Sequence, residues 1–228
     1  METRVGLLRN VPLFQDLSHE ELLAIAPLLQ ENRYNRGKLL FMEGDPGEEM
    51  FLVEKGVVKI YRFDDEREII LALIGPGEFF GEMALIQPSA NRSAAAETLE
   101  SCVLYSLSRS VFYEFMEKHP RICIRLLETT MQRLRNANDQ IYNLTFLDVR
   151  TRLIRTIVRL AEERGVKLGD GLLIDVRMTH QQIAGIAGTT RESASKVLQS
   201  LTEEGLIVIE NKRIFLNDYK KLKEMAGL

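Results

Sequence analysis

The sequence predicts an α+β protein in three successive parts, and three observations carry that prediction. Residues 31–107 are short apolar runs broken by turn residues every eight to twelve positions, the pattern of an antiparallel barrel or jelly-roll-like sandwich. From residue 108 the apolar spacing changes to alternating threes and fours, which is helical. The remaining residues contain two short helices split by a glycine turn and followed by a strand pair, a winged helix-turn-helix. The parts are therefore 1–107, 108–148 and 149–228.

The chain order supports each element. Ser18 and Glu21, in "SHEELLAIAPLL", form a capping box that starts a helix. The roll is punctuated at Gly37, at "EGDPGEE" (43–49), "EKG" (54–56), "DDER" (64–67), "GPGE" (75–78) and "QPSAN" (87–91), with alternating runs such as "MFLVEKGVVKIYRF" between them. "SRSVFYEFMEKHP" makes one helix ending near His119, because Pro120 disfavours helix at the residue before it and suits the first turn of a new one. The new helix extends to about Leu144. Along it Ile124, Leu127, Met131, Leu134, Asn138, Ile141 and Thr145 form a heptad seam with a polar residue at one a position, the pattern of a parallel two-stranded homodimer. A helix lying on its own β domain is the alternative use of that face. "NLTFLDV" at 143–149 reads as a hinge, with Asp148 capping the next helix.

In "MTHQQIAGIAGTTRESASKVLQSLTEEGLIVIENKRIFL" a helix is expected over about 179–187, a turn at Gly188-Thr189, and a second helix from about Thr190 to Glu204. Ile183, Ala184, Ile186, Ala194, Val197, Leu198 and Leu201 face inward, leaving Arg191, Glu192, Ser193, Ser195, Lys196 and Gln199 outward. In such a pair the start of the second helix reaches base edges in the major groove, and the strands around Asn211-Lys212 form the wing.

Charge agrees with this division. Residues 1–148 carry 16 Lys+Arg against 23 Asp+Glu, whereas 149–228 carry 14 against 10, within a net charge of −3. A basic end on an acidic chain suggests a polyanionic partner. Cys102 and Cys123 form no CxxC, and His19, His119 and His180 lie far apart, so no metal, haem or iron–sulfur ligand set is expected. No apolar run approaches a bilayer span and no secretory leader is visible, so the expected home is the cytoplasm, away from membranes. An enzyme is not expected, since neither clustered metal ligands nor a glycine-rich ATP loop is present.

The stretch "GEFFGEMALIQPSANRSAAAET" (77–98) places the fixed cation Arg92, the hydroxyl Ser93 and the carboxylate Glu82 among small apolar residues, a setting suited to an anion. An ion pair between Arg92 and Glu82 within a ligand-free roll is the alternative use. Together with "QQIAGIAGTTRESASKVL" and the order of roll, long helix and winged helix, this stretch resembles the family of cyclic-AMP receptor proteins and FNR-type transcription regulators. The resemblance covers about Leu13 to Leu216.

The resemblance implies a cyclic-nucleotide-binding roll, a dimerisation helix, and control of DNA binding by a ligand, cyclic AMP first. Gly81, Glu82, Arg92 and Ser93 match the family's ribose-phosphate contacts, Met83 adds backbone, and Arg133 matches a residue coupling the cassette carboxylate to the dimer helix. The family's base-binding hydroxyl pair falls at Ala137 and Asn138; the first hydroxyl is absent, while the Asn138 amide can still meet a purine edge. Arg191, Glu192 and Lys196 match base-reading positions, Lys196 standing where arginine is common. Thr179, Gln181, Thr190 and Ser193 match phosphate contacts, and Lys212 is the wing contact. The implied partners are double-stranded DNA with palindromic TGTGA-like half-sites, a second copy of the chain and RNA polymerase. A regulator of the same fold that is ligand-independent, or answers to another effector, is the alternative.

Overall fold

The computed structural model describes residues 2–64, 67–86, 91–169 and 171–228. The turns expected at 64–67 and 87–91 fall partly outside these residues. The chain forms two compact units, Met1–Arg62 with Leu71–Ala137, and Phe63–Ile70 with Asn138–Leu228.

The first unit opens with α1 (Glu2–Asn10) and α2 (His19–Ile25), the latter started by the capping box of Ser18 and Glu21. Eight strands follow along the chain, with Phe63 and Asp64 of β4 and the first four residues of β5 counted in the second unit: β1 (Gln30–Tyr34), β2 (Leu39–Phe41), β3 (Glu49–Lys55), β4 (Val58–Asp64), β5 (Arg67–Ile74), β6 (Phe79–Phe80), β7 (Ala95–Thr98) and β8 (Cys102–Ser108). They form two four-stranded sheets, in the orders β1-β8-β3-β6 and β2-β7-β4-β5. The registered pairs are antiparallel, as a roll requires.

β3 shows why "MFLV" is apolar on both faces. Its Phe51 and Val53 join Val58, Phe80 and Leu104 in one core, while Met50 and Leu52 face a second core shared with Leu8, Phe14, Leu22 and Phe112. A strand covered on both sides reads as a continuous apolar run. Each such side chain contributes about 1.5–3 kcal/mol by burial.

A single helical turn, α3 (Met83–Ile86), follows β6. After β8 come α4 (Arg109–Lys118) and the long α5 (Pro120–Phe146). Both cysteines are free thiols: Cys102 is buried on β8 and Cys123 is exposed on α5.

The second unit contains α6 (Val149–Arg164), β9 (Gly165–Leu168), β10 (Gly171–Ile174), α7 (His180–Ala187), α8 (Arg191–Glu203), β11 (Ile207–Glu210), β12 (Arg213–Leu216) and α9 (Tyr219–Ala226). Its strands form one sheet, β11-β12-β10-β9. Asp148 caps α6 by accepting from the Thr151 amide.

The hinge differs from the expected 143–149. Helix α5 continues through Phe146, leaving only Leu147 and Asp148 outside helix. Nothing in "NLTF" breaks a helix, and local bonds sustain it: Thr145 Oγ1 donates to the Ile141 carbonyl, and the Leu147 amide to that of Asn143. Arg155 Nη1 also donates to Asn143 Oδ1 at 2.9 Å, and Gly188 lies against Leu144 so closely that an added Cβ would come within 2.4 Å of it.

Candidate ligand cassette and DNA interface

The cassette is built around a buried arginine. Arg92 is 6% exposed, and its two terminal nitrogens donate to backbone carbonyls, Nη1 to Gly81 at 2.9 Å and Nη2 to Glu49 at 2.8 Å. Its guanidinium lies over the Phe41 ring at 4.2 Å, and its Nε has no hydrogen-bond partner among the described residues. Among the described residues Arg92 forms no ion pair, so the pairing with Glu82 considered from sequence is not made. Burial holds its pKa below the usual arginine value, although Glu49, Glu82 and Asp45 pull the other way. A buried cation whose partners are carbonyls still calls for an anion.

Glycine is needed beside it. Gly81 has φ +85°, and a Cβ there would come within 2.7 Å of Arg92 Nη1. The loop before β3 grips Arg92 from the other side: the Gly44 amide donates to the Arg92 carbonyl, and the Arg92 amide to that of Asp45.

Glu82 is 7% exposed. Its Oε1 accepts from Arg133 Nη1 at 2.6 Å, while Oε2 is buried without a hydrogen-bond partner among the described residues. Arg133 also donates to the Phe79 carbonyl and lies over the Phe79 ring at 4.8 Å. Ser93 and Met83 are exposed and adjacent, with Ser93 Oγ 3.5 Å from Met83 Sδ. Asn138 is exposed and falls in the second unit.

In the second unit α7 ends at Gly188, which adopts the left-handed conformation at φ +63°. Threonines cap both helix starts. Thr179 forms a capping box with Gln182 on α7, and Thr190 Oγ1 accepts from the Ser193 amide at the head of α8. Inward-facing Ile183, Ala184, Ile186, Ala194, Leu198 and Leu201 are buried, and His180 Nδ1 meets Ser195 Oγ at 2.8 Å between the helices. Arg191, Glu192, Lys196 and, on α7, Gln181 are exposed. The Glu192 carboxyl is held below its usual range chiefly by its own backbone amide and then by the Thr190 hydroxyl, so at neutral pH it is an acceptor only. Lys212 is exposed at the wing tip, where Asn211 and Lys212 have φ of 50° and 64°, the two-residue turn that matches strand twist.

Comparison with known proteins identifies a domain in each part of the chain. Residues 31–119 match the family model of the cyclic nucleotide-binding domain, and residues 151–225 that of the Crp-like helix-turn-helix domain. The chain is 33% identical over 220 residues to the cyclic AMP receptor protein of Thermus thermophilus, covering 96% of this chain and 98% of that protein. It is 30% identical over 221 residues to a CRP-like cAMP-activated global transcriptional regulator of Mycobacterium tuberculosis, with the same coverage. The chain belongs to the family of cyclic-AMP receptor proteins and FNR-type regulators. Among solved structures of the family, the c-di-GMP responsive global regulator CLP of Xanthomonas campestris is similar, with a TM-score of 0.74 at 30% identity, covering 86% of this chain and 96% of that one.

As a member of this family the protein is a transcription regulator with a cyclic nucleotide-binding domain and a DNA-binding helix-turn-helix. No described helix is long and apolar enough to cross a membrane, and the described residues contain no cluster of three or more metal-ligating side chains. Sequence reasoning missed the grip of the 44–48 loop on Arg92 and the stacking of Arg92 on Phe41. "EGDPGEE" marks a turn, and nothing in it shows which side chain that turn holds.

Proposed function

We propose that the protein is a homodimeric regulator, without enzymatic activity, whose binding to palindromic DNA is controlled by cyclic AMP. The observation that carries the reading is the paired deficit in the cassette: among the described residues, a buried guanidinium has no carboxylate partner and a buried carboxylate oxygen has no donor. A cyclic nucleotide answers both, its phosphate accepting from Arg92 and Ser93 and its ribose hydroxyl donating to Glu82. Asn138 is the proposed contact for the base edge.

The second copy is supported by the seam on α5. Ile124, Leu127, Met131, Leu134 and Ile141 are 45–62% exposed, at heptad spacing. A second α5 covers them in parallel, with Asn138 setting the register. The ligand acts by preferring one packing of this seam, which sets the two recognition helices about 34 Å apart on one face of the duplex. Arg191, Glu192 and Lys196 then read bases, while Thr179, Gln181, Thr190, Ser193 and Lys212 hold phosphates. RNA polymerase in the cytoplasm is the proposed downstream partner.

The test is calorimetric titration of the full chain with cyclic AMP, cyclic GMP and cyclic di-GMP, followed by gel shift on a palindromic duplex with each. Saturable cyclic AMP binding that raises DNA affinity is expected. Binding of cyclic di-GMP alone would assign the effector class of the Xanthomonas relative, and no binding of any of the three would assign a ligand-independent regulator.

A further inference from the structure

We propose that Arg109, assisted by Tyr113, is a positioning residue for the cassette: it touches no ligand but fixes the turn and loop that hold Arg92. The proposal rests on the reading of the cassette as a cyclic-nucleotide site.

Arg109 is the first residue of α4, where the helix dipole disfavours a cation. A cation placed there needs another reason. The geometry supplies one: Nη2 donates to the Ala84 carbonyl at 2.7 Å and to that of Gly47 at 2.9 Å, Nη1 to that of Leu85 at 3.2 Å, and Nε to Glu48 Oε2 at 3.0 Å. One turn later, Tyr113 Oη donates to the Ile86 carbonyl at 3.0 Å. Two side chains of α4 thus satisfy the last three carbonyls of α3, which lack intrahelical donors. A four-residue helix cannot sustain itself, so external bonds determine whether it is ordered.

The same guanidinium holds the other wall. Gly47, whose carbonyl it binds, packs so tightly that a Cβ there would lie 2.4 Å from Ala84 Cβ and 2.9 Å from Arg92 Nε. That loop in turn exchanges backbone hydrogen bonds with Arg92 through Gly44 and Asp45. Arg109 therefore ties α3 and the 44–48 loop together around Arg92 by a planar fork that lysine cannot reproduce.

The experiment compares the full chain with Arg109→Ala, Arg109→Lys and Tyr113→Phe by amide hydrogen exchange, thermal melting and cyclic AMP calorimetry. Arg109→Ala should speed exchange in residues 44–48 and 81–86 while leaving β3 and β8 protected. It should also weaken cyclic AMP about 10-fold, equivalent to about 1.4 kcal/mol. Arg109→Lys should not rescue either effect, and Tyr113→Phe should show a smaller loosening near Ile86. Parent-like exchange in both segments, or loosened exchange with parent affinity, would overturn the proposal; so would loosening spread evenly through the roll with a lower melting point. If Arg109→Ala does not fold, the other two variants decide by the same readouts. If the parent binds no cyclic nucleotide, the ligand reading fails, and the exchange data alone still decide whether Arg109 holds these segments.

Discussion

Replacing Arg92 by leucine separates the cost of the cassette from its use. In the ligand-free protein Arg92→Leu leaves the Gly81 and Glu49 carbonyls without these donors, each loss costing about 1–3 kcal/mol. Against that, the parent carries a buried cation with no carboxylate partner among the described residues, and its desolvation costs several kcal/mol. The two terms have opposite signs and similar size, so ligand-free stability should stay within about 2 kcal/mol of the parent. Binding has no such compensation. A charge-assisted bond to a phosphate is worth about 1.5–3 kcal/mol, so affinity for cyclic AMP should fall about 10- to 150-fold. The assay is calorimetry beside melting curves with and without ligand. At 100 times its dissociation constant the ligand should stabilise the parent by about 2.7 kcal/mol, and the same concentration should do much less for the variant. Parent-like affinity in a folded Arg92→Leu protein would refute the argument.

Further predictions address the other sites. Ala137→Thr should tighten cyclic AMP by about 0.5–1.5 kcal/mol if a base atom lacks one hydrogen bond, and calorimetry showing weaker binding would mean the position is shaped for something else. Leu134→Glu, placed in the exposed seam, should yield monomers in sedimentation velocity at concentrations where the parent is dimeric. Arg191→Ala should cost about 1–3 kcal/mol on the cognate duplex and relax one base preference in a selection on randomised sites, whereas Lys212→Ala should weaken all sequences alike and lower the salt slope by about one. The Asp148 carboxyl is held below its ordinary value of 3.8, first by the Thr151 amide. Its contribution to stability is therefore complete above about pH 4 and lost as the pH falls through the lowered value, so Asp148→Asn should flatten that part of an acid-unfolding curve.

The elements legible in the sequence were those whose residue chemistry is local. Ser18, Thr190 and Asp148 announce helix starts because their side chains accept from amides three residues on, and Glu21 accepts in return from the Ser18 amide. Gly188 announces the turn because its left-handed backbone suits glycine. The hairpin β9–β10 went unread since "GVKL" is exposed throughout and has no inward face to give a period-two pattern. The end of α5 was placed too early because what holds 143–146 in helix comes partly from α6 and Gly188, distant in sequence. In the cassette, spacing exposed Arg92, Ser93 and Glu82. The carbonyls that Arg92 binds and the fork of Arg109 across residues 47, 84 and 85 depend on chain crossings that no short window contains.

The two thiols make the protein ready for spectroscopy as it stands. Burial pushes the Cys102 thiol up to about 11, so at neutral pH it offers almost no thiolate to an electrophile. Cys123 is exposed on α5. A maleimide or nitroxide reagent at neutral pH should therefore attach at one position per chain without any engineered cysteine. In a dimer the two labels would sit on paired copies of the same helix, and the distance between them would report how the seam packs with and without nucleotide.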